Sequence, residues 1–385
     1  MKIITSFLIG LNLLTTAPIN NNYDNTDTGL ILNSESALLL DYNSGEVLYE
    51  KNSNKKLHPA SMTKMMGLYL VMEALNNNQI KLEDKVKCSL EASKIGGSQI
   101  YLKENEEMTI DDLIKSVCIA SANDAMYLLG EVVGGSNEQF VSSMNNKSKE
   151  FELINTNFTN VMGFDDENHY SCSFDMGVIA YNLLNDYGDL IIKYSSMNES
   201  YLRENTSNPF WLVNTNKLLG DYEGLDGLKT GYTSKAGYCL TATAKRKNLR
   251  LIAVAMNSKT IKERSNDIKS LLNYGYNNYK SVKVFSKNEL FLKVKFDKSM
   301  NDLDNVYIKN DIYITLPMKE SNTSFEYTYT IDKNSAPIKE NEKIGTIEIY
   351  NSKGMEFIGE LIVKEDINLI SWFSYFINIL KMLIA

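Results

Sequence analysis

The chain has 385 residues, 43% hydrophobic and 23% charged, which excludes wholesale disorder and suits two domains or one large domain with a small one. Lys and Arg total 40 against 48 Asp and Glu, a net charge of −8 with no basic block, so no nucleic-acid partner is expected. The two histidines, His58 and His169, form no H-x-x-H pair, and Cys88, Cys118, Cys172 and Cys239 form no C-x-x-C, so neither a metal site nor a redox pair is expected and the cysteines read as small core residues.

Residues 1–19 hold Lys2, a short apolar run and the small residues Thr15, Thr16 and Ala17, the pattern of a secretory signal peptide. Residues 20–34 are rich in Asn, Asp and Thr and read as a flexible leader. Strands are predicted over 37–40 and 46–50, joined at Asn43-Ser44-Gly45. Pro59 precedes a helix over 61–75, in which Met62, Met65, Met66 and Met72 recur at helical spacing and read as core. Two helical segments fall within 107–135, the first capped by Thr109 with Asp111 and Asp112 in its first turn. Helical patterns follow over 138–151 and 175–184, the second with Ser173 as its expected N-cap.

Strands over 227–233, 238–245 and 249–256 come next, the last two joined at Arg246-Lys247-Asn248. A long helix over 260–279 follows, with Ile261, Ile268, Leu271 and Leu272 expected to face inward. This order implies an antiparallel sheet with its N- and C-terminal helices packed on it and an inserted helical lobe. From 283 to 364 short alternating stretches suggest a small all-β domain without a catalytic constellation. Residues 367–385 are apolar; at about 100° per residue Asn368, Ser371, Ser374, Tyr375, Asn378 and Lys381 share one side, as in a helix lying in a membrane interface.

Three short motifs carry chemistry. In Ser61-Met62-Thr63-Lys64 the serine and lysine stand at i and i+3 on one helical face. A lysine there takes the serine proton only if burial or a second cation holds it neutral. Ser121-Ala122-Asn123 sets a hydroxyl and an amide two residues apart, suited to one wall of a cleft. Lys229-Thr230-Gly231 suits a strand edge that binds a ligand as an extra strand, with Lys229 and Thr230 on a terminal carboxylate and Gly231 admitting the ligand backbone. The backbone N–H groups of Ser61 and Tyr232 are candidates for an oxyanion hole.

In this order, S-x-x-K, S-x-N and K-T-G are the signature of class A β-lactamases and penicillin-binding proteins, here with Ala122 in place of the usual Asp. The chain resembles the low-molecular-weight penicillin-binding proteins that act as D-alanyl-D-alanine carboxypeptidases, serine peptidases of the S11 type. Segments 95–98, 121–125, 169–171, 226–231 and 236–240 look like that family, and the resemblance is strong over 36–276. It implies an α/β (α+β) fold of the serine β-lactamase and penicillin-binding-protein type, with an antiparallel sheet and a helical lobe. The implied layout is a catalytic domain over 35–280, a small β domain over 283–365 and a membrane-anchoring helix over 366–385.

By the same resemblance Ser61 is the acylated nucleophile, Lys64 its general base and Ser121 a second catalytic hydroxyl. Asn123, Lys229, Thr230, Gly231, Tyr232 and Arg264 bind substrate, Arg264 near the terminal carboxylate. Tyr232 stands where many relatives carry His. Glu152-Leu153-Ile154-Asn155 superficially imitates a β-lactamase deacylation motif and is read as a decoy. His58 and His169 are expected to serve as structural hydrogen-bonding groups. The implied activity is removal of the terminal D-alanine from peptidoglycan pentapeptides through an acyl-enzyme, without cofactor, with β-lactam antibiotics as inhibitors. A β-lactamase or esterase on the same fold is the alternative, and a non-catalytic wall-binding protein the third reading. The implied location is the outer face of the cytoplasmic membrane, after export.

Overall fold

The first strand is apolar on both faces because both faces of its sheet are covered. In the computed structural model, which describes residues 29–320, 325–351 and 354–372, β1 (Ser36–Asp41) is buried throughout. The expected signal peptide, the leader up to residue 28 and the terminal segment from 373 lie outside the described residues. Residues 29–34, expected as leader, include buried Leu32 and Ser34. Asp267 holds that stretch, accepting from the Ser34 N–H at 2.6 Å and the Ser34 hydroxyl at 2.5 Å.

β2 (Val47–Lys51) returns from β1 through a turn in which Gly45 adopts φ +72° and donates its N–H to Asp41 O at 2.9 Å. A 3-10 turn, Ala60–Thr63, then leads into α1 (Lys64–Asn76). Met65, Met66, Leu68, Val71 and Met72 are all buried, so α1 runs through the interior instead of lying on its surface. β3 (Lys85–Lys87), α2 (Leu90–Ser93) and β4 (Glu107–Thr109) precede the helical lobe of α3 (Ile110–Ala120), α4 (Asn123–Gly134) and α5 (Asn137–Glu150). Thr109 caps α3 as expected, its hydroxyl accepting from Asp112 N at 3.1 Å.

α6 (Ser173–Ser195) departs from expectation twice. Its N-cap is Cys172, whose sulfur accepts from Asp175 N, because the Ser173 hydroxyl is engaged by Ser36 Oγ at 2.6 Å. It also continues past residue 184 through a kink at non-helical Tyr187. β5 (Glu199–Leu202) and β6 (Phe210–Val213) form an outlying hairpin. β7 (Leu225–Thr233), β8 (Gly237–Arg246), β9 (Leu249–Ser258) and α7 (Ile261–Asn278) complete the domain.

The main sheet is antiparallel in the order β2-β1-β9-β8-β7, which leaves β7 at an edge. Its alternating side chains divide between two cores. Leu38, Leu40, Ile252 and Val254 join the helical lobe, whereas Ala37, Leu39, Leu251 and Ala253 join α7. On α7, Ile268, Leu271 and Leu272 are buried as expected, but Ile261 is half exposed, because the buried stripe begins only at Arg264.

The β domain starts directly at the end of α7. β10 (Tyr279–Phe285) pairs with β13 (Ile312–Pro317). β11 (Leu290–Val294), β12 (Asp304–Ile308), β14 (Glu326–Ile331), β15 (Lys343–Asn351) and β16 (Gly354–Ile362) form a sheet in the order β11-β12-β16-β15-β14. Its core, with Phe296, Ile308, Ile314, Ile338 and Leu361, is separate from the other two. Residues 367–370, expected as the start of the terminal helix, are extended. Ile367 N donates to Ile338 O at 2.9 Å and Ile370 N to Lys298 O at 2.8 Å, which ties them to the β domain. Among the described residues no helix is long and apolar enough to cross a membrane.

Candidate active site

The three motifs meet where the 3-10 turn crosses the edge strand β7. Two glycines allow that crossing. A Cβ on Gly231 would lie 2.7 Å from Pro59 O and 3.2 Å from Ala60 Cβ. The space that a Gly231 side chain would take is thus filled by the turn that carries Ser61. On the other side Gly163, at φ +86°, would place a Cβ 1.9 Å from Ala60 O. The turn is clamped between them. Ala60 (φ +48°) and Ser121 (φ +61°) are both non-glycine residues in the left-handed region, a costly conformation that surrounding packing must hold.

In a 3-10 turn residues at i and i+3 eclipse, and Lys64 Nζ accordingly donates to Ser61 Oγ at 2.7 Å and to Met162 O at 2.9 Å. Lys229 Nζ donates to Ser121 Oγ at 2.8 Å and to Thr230 O at 3.1 Å. Each serine hydroxyl therefore sits on its own buried lysine amine. No carboxylate bonds to either amine among the described residues. Burial pushes the Lys64 pKa well below its ordinary value; the Lys229 cation adds to this, and buried Asp124 opposes it. Burial pushes Lys229 down to about 7, with Arg264 adding to the shift.

Asn123 Nδ2 donates to Gly96 O at 2.7 Å, and its backbone N–H donates to Ser98 O at 2.6 Å, fixing the second wall. Thr230 Oγ1 lies 2.7 Å from Thr215 Oγ1. Arg264 is buried, with its Nε lacking a hydrogen-bond partner. Tyr232 is exposed and stacks on Tyr238 with ring centroids 4.3 Å apart. Glu152 is exposed in the turn after α5, and Asn155 gives its N–H to Asp175.

His169 accepts from Thr159 N at its Nδ1 and therefore donates Nε2–H to Thr63 Oγ1 at 2.8 Å. It braces the turn between the two catalytic-motif residues, a structural role as expected. His58 Nδ1 lies 3.1 Å from His169 O. The four cysteines are free and buried. Sequence reasoning missed Met162 O, Gly163, Asp124 and Thr215. Asp124 lies in the family-like segment 121–125 but had been given no role, whereas Met162, Gly163 and Thr215 belong to no recognised motif and reach the site only through tertiary contact.

The family model for D-alanyl-D-alanine carboxypeptidases matches residues 24–260, and that for the C-terminal domain of penicillin-binding protein 5 matches 279–369. The chain is 40% identical to the D-alanyl-D-alanine carboxypeptidase DacF of Bacillus subtilis over 95% of this chain and 94% of that protein. It is 35% identical to DacC of Escherichia coli over 83% and 80%. Among solved structures, penicillin-binding protein 5 of Haemophilus influenzae superposes with a TM-score of 0.69 at 31% identity, covering 88% of this chain and 98% of that one. Ampicillin-bound penicillin-binding protein D2 of Listeria monocytogenes superposes at 0.58 with 30% identity, covering 64% and 99%. The chain thus belongs to the S11 family of D-alanyl-D-alanine carboxypeptidases, serine hydrolases, and carries the C-terminal all-β domain of the penicillin-binding protein 5 type.

Proposed function

We propose that Ser61 is the nucleophile that removes the terminal D-alanine of a peptidoglycan pentapeptide. Lys64, neutral in the free site, takes the Ser61 proton as Oγ attacks the carbonyl carbon of the penultimate D-alanine. The N–H groups of Ser61 and Tyr232 receive the developing oxyanion. The C–N bond breaks as the proton that Lys64 took passes through the Ser121 hydroxyl to the leaving amine, which leaves Lys64 neutral again, and D-alanine departs. Water then attacks the ester with Lys64 again as base, releasing the shortened peptide and restoring the Ser61 hydroxyl. Lys229, Thr230 and Arg264 hold the substrate carboxylate, while Asn123 holds its backbone. The observation that carries this reading is the pair of buried lysines, each bonded to a serine hydroxyl and neither to a carboxylate.

The test is D-alanine release from a synthetic pentapeptide. Wild type releases one D-alanine per peptide, and Ser61→Ala none; equal release by both would refute the role of Ser61. The same assay with benzylpenicillin separates the β-lactamase alternative, because a long-lived adduct excludes it.

We further propose that the protein is exported and held on the outer face of the cytoplasmic membrane by its C-terminal segment, within which residues 373–385 continue beyond the described β domain. The amphipathic pattern of that segment supports this, as does the place where the described chain ends. Leu369 and Trp372 there are exposed, as are Met300 and Leu303, and Met300 N donates to Asn368 O at 3.1 Å.

A further inference from the structure

The β5–β6 hairpin has an unusual outer face. Its inner face is ordinary, with Leu202 and Leu212 buried against the helical core. The register pairs Tyr201 with Trp211 and Glu199 with Val213, so these four share the outer face. A solvated face of this kind is normally polar. Here Tyr201 is 46% and Trp211 54% exposed. The indole is oriented, its Nε1–H donating to Glu199 Oε2 at 3.0 Å. Tyr101, 64% exposed, stands edge-on to Phe210 at 5.9 Å, and Phe210 pairs with Leu202 on the inner face, so Tyr101 packs against the hairpin from the other side. The support is rigid, because Arg203 donates to Glu106 Oε1 at 2.6 Å and to Ile100 O at 3.1 Å, joining the hairpin to the segment that carries Tyr101.

The hairpin and the segment it is tied to both lead back to the candidate site. Thr215, two residues beyond Val213, donates its N–H to Ile119 O at 3.1 Å and contacts the Thr230 hydroxyl. Ser98, three residues before Tyr101, accepts from Asn123 N. At roughly 3.3 Å per extended residue, Trp211 lies about 13 Å along the chain from Thr215. An extended pentapeptide whose carboxylate rests at Thr230 spans about 17 Å to its sugar-bearing end. The paired outer rings therefore begin within reach of the sugar.

Resting on the carboxypeptidase reading above, we propose that Tyr201 and Trp211 form a saccharide subsite that binds the glycan strand carrying the pentapeptide. Flat, amphipathic rings suit the apolar C–H faces of pyranose sugars, and their polar edges tolerate the surrounding hydroxyls. The enzyme would then prefer polymer-borne pentapeptide to the free peptide.

The test compares two substrates, uncrosslinked glycan strands bearing pentapeptide and the same pentapeptide without sugar, on wild type, Tyr201→Ala/Trp211→Ala and Trp211→Phe. The double variant is expected to lose about tenfold in kcat/KM on glycan strands, carried by KM. Its turnover of free pentapeptide and its acylation by penicillin stay within about twofold of wild type, and Trp211→Phe keeps most of the glycan-strand activity. Equal loss on both substrates, or loss on neither, overturns the subsite while leaving the carboxypeptidase reading intact. Failure of wild type to release D-alanine from either substrate overturns both.

Discussion

Lys64 and Lys229 differ in what they must do, and their surroundings already separate them. Lys64 must be neutral to accept the Ser61 proton, and burial beside the Lys229 cation favours that form. Lys229 must be charged to hold a carboxylate, yet burial brings it down to about 7. Activity is therefore lost on the acid side as Lys64 gains a proton, and on the alkaline side as Lys229 loses one. The pH profile of kcat/KM, which reports the free enzyme, should be bell-shaped with its alkaline limb near 7. Lys229→Arg should move that limb upward at reduced overall activity; an unmoved limb would assign it to another group. His169 makes a second, independent prediction. Burial depresses its pKa from 6.5 to about 4, so the neutral ring stabilises the fold above pH 6.5 and that stability is lost as pH falls toward 4. The linked stabilisation is about 3 kcal/mol. Thermal melts between pH 7 and pH 4 should show wild type losing stability more steeply than His169→Asn, which starts lower; parallel curves would contradict the assignment.

At the scale of the element, the decisive contact is the 3-10 turn on β7. Gly231→Ala would drive a methyl against Pro59 O and Ala60 Cβ and displace Ser61. Displacement of reacting groups by about 1 Å can cost on the order of a hundredfold. Penicillin acylation should fall by roughly that factor, with only a modest drop in melting temperature; unchanged acylation would show that the turn tolerates the methyl. This contact also marks the limit of what was legible beforehand. The Ser61–Lys64 spacing, the Thr109 cap and the apolar runs of β1, β8 and β9 are local patterns, and they predicted their elements. The neighbour of Gly231, the sulfur cap of Cys172 and the exposure of Ile261 depend on which remote segment arrives at each position. The likeness of the three motifs to a known signature pointed to these residues before the geometry did. Their convergence on two serine–lysine pairs, and the Met162 carbonyl that completes one of them, required the fold.

For the whole molecule, two cores serve the catalytic domain and a third serves the β domain. The domains touch through specific bonds, including Thr315 Oγ1 to the buried Asp41 carboxylate at 2.7 Å. The chain leaves the β domain beside exposed Met300, Leu303 and Leu369. Deleting residues 373–385 should therefore abolish co-sedimentation of the mature protein with phospholipid vesicles without altering penicillin acylation; full retention on vesicles would remove the anchor from the account. The central claim is that one serine hydroxyl becomes covalently bound. Intact-mass analysis after benzylpenicillin treatment, followed by peptide mapping, tests this most directly. One penicilloyl group should appear on the peptide containing Ser61 and be absent from Ser61→Ala. An adduct on a different residue, or equal labelling of Ser61→Ala, would contradict it.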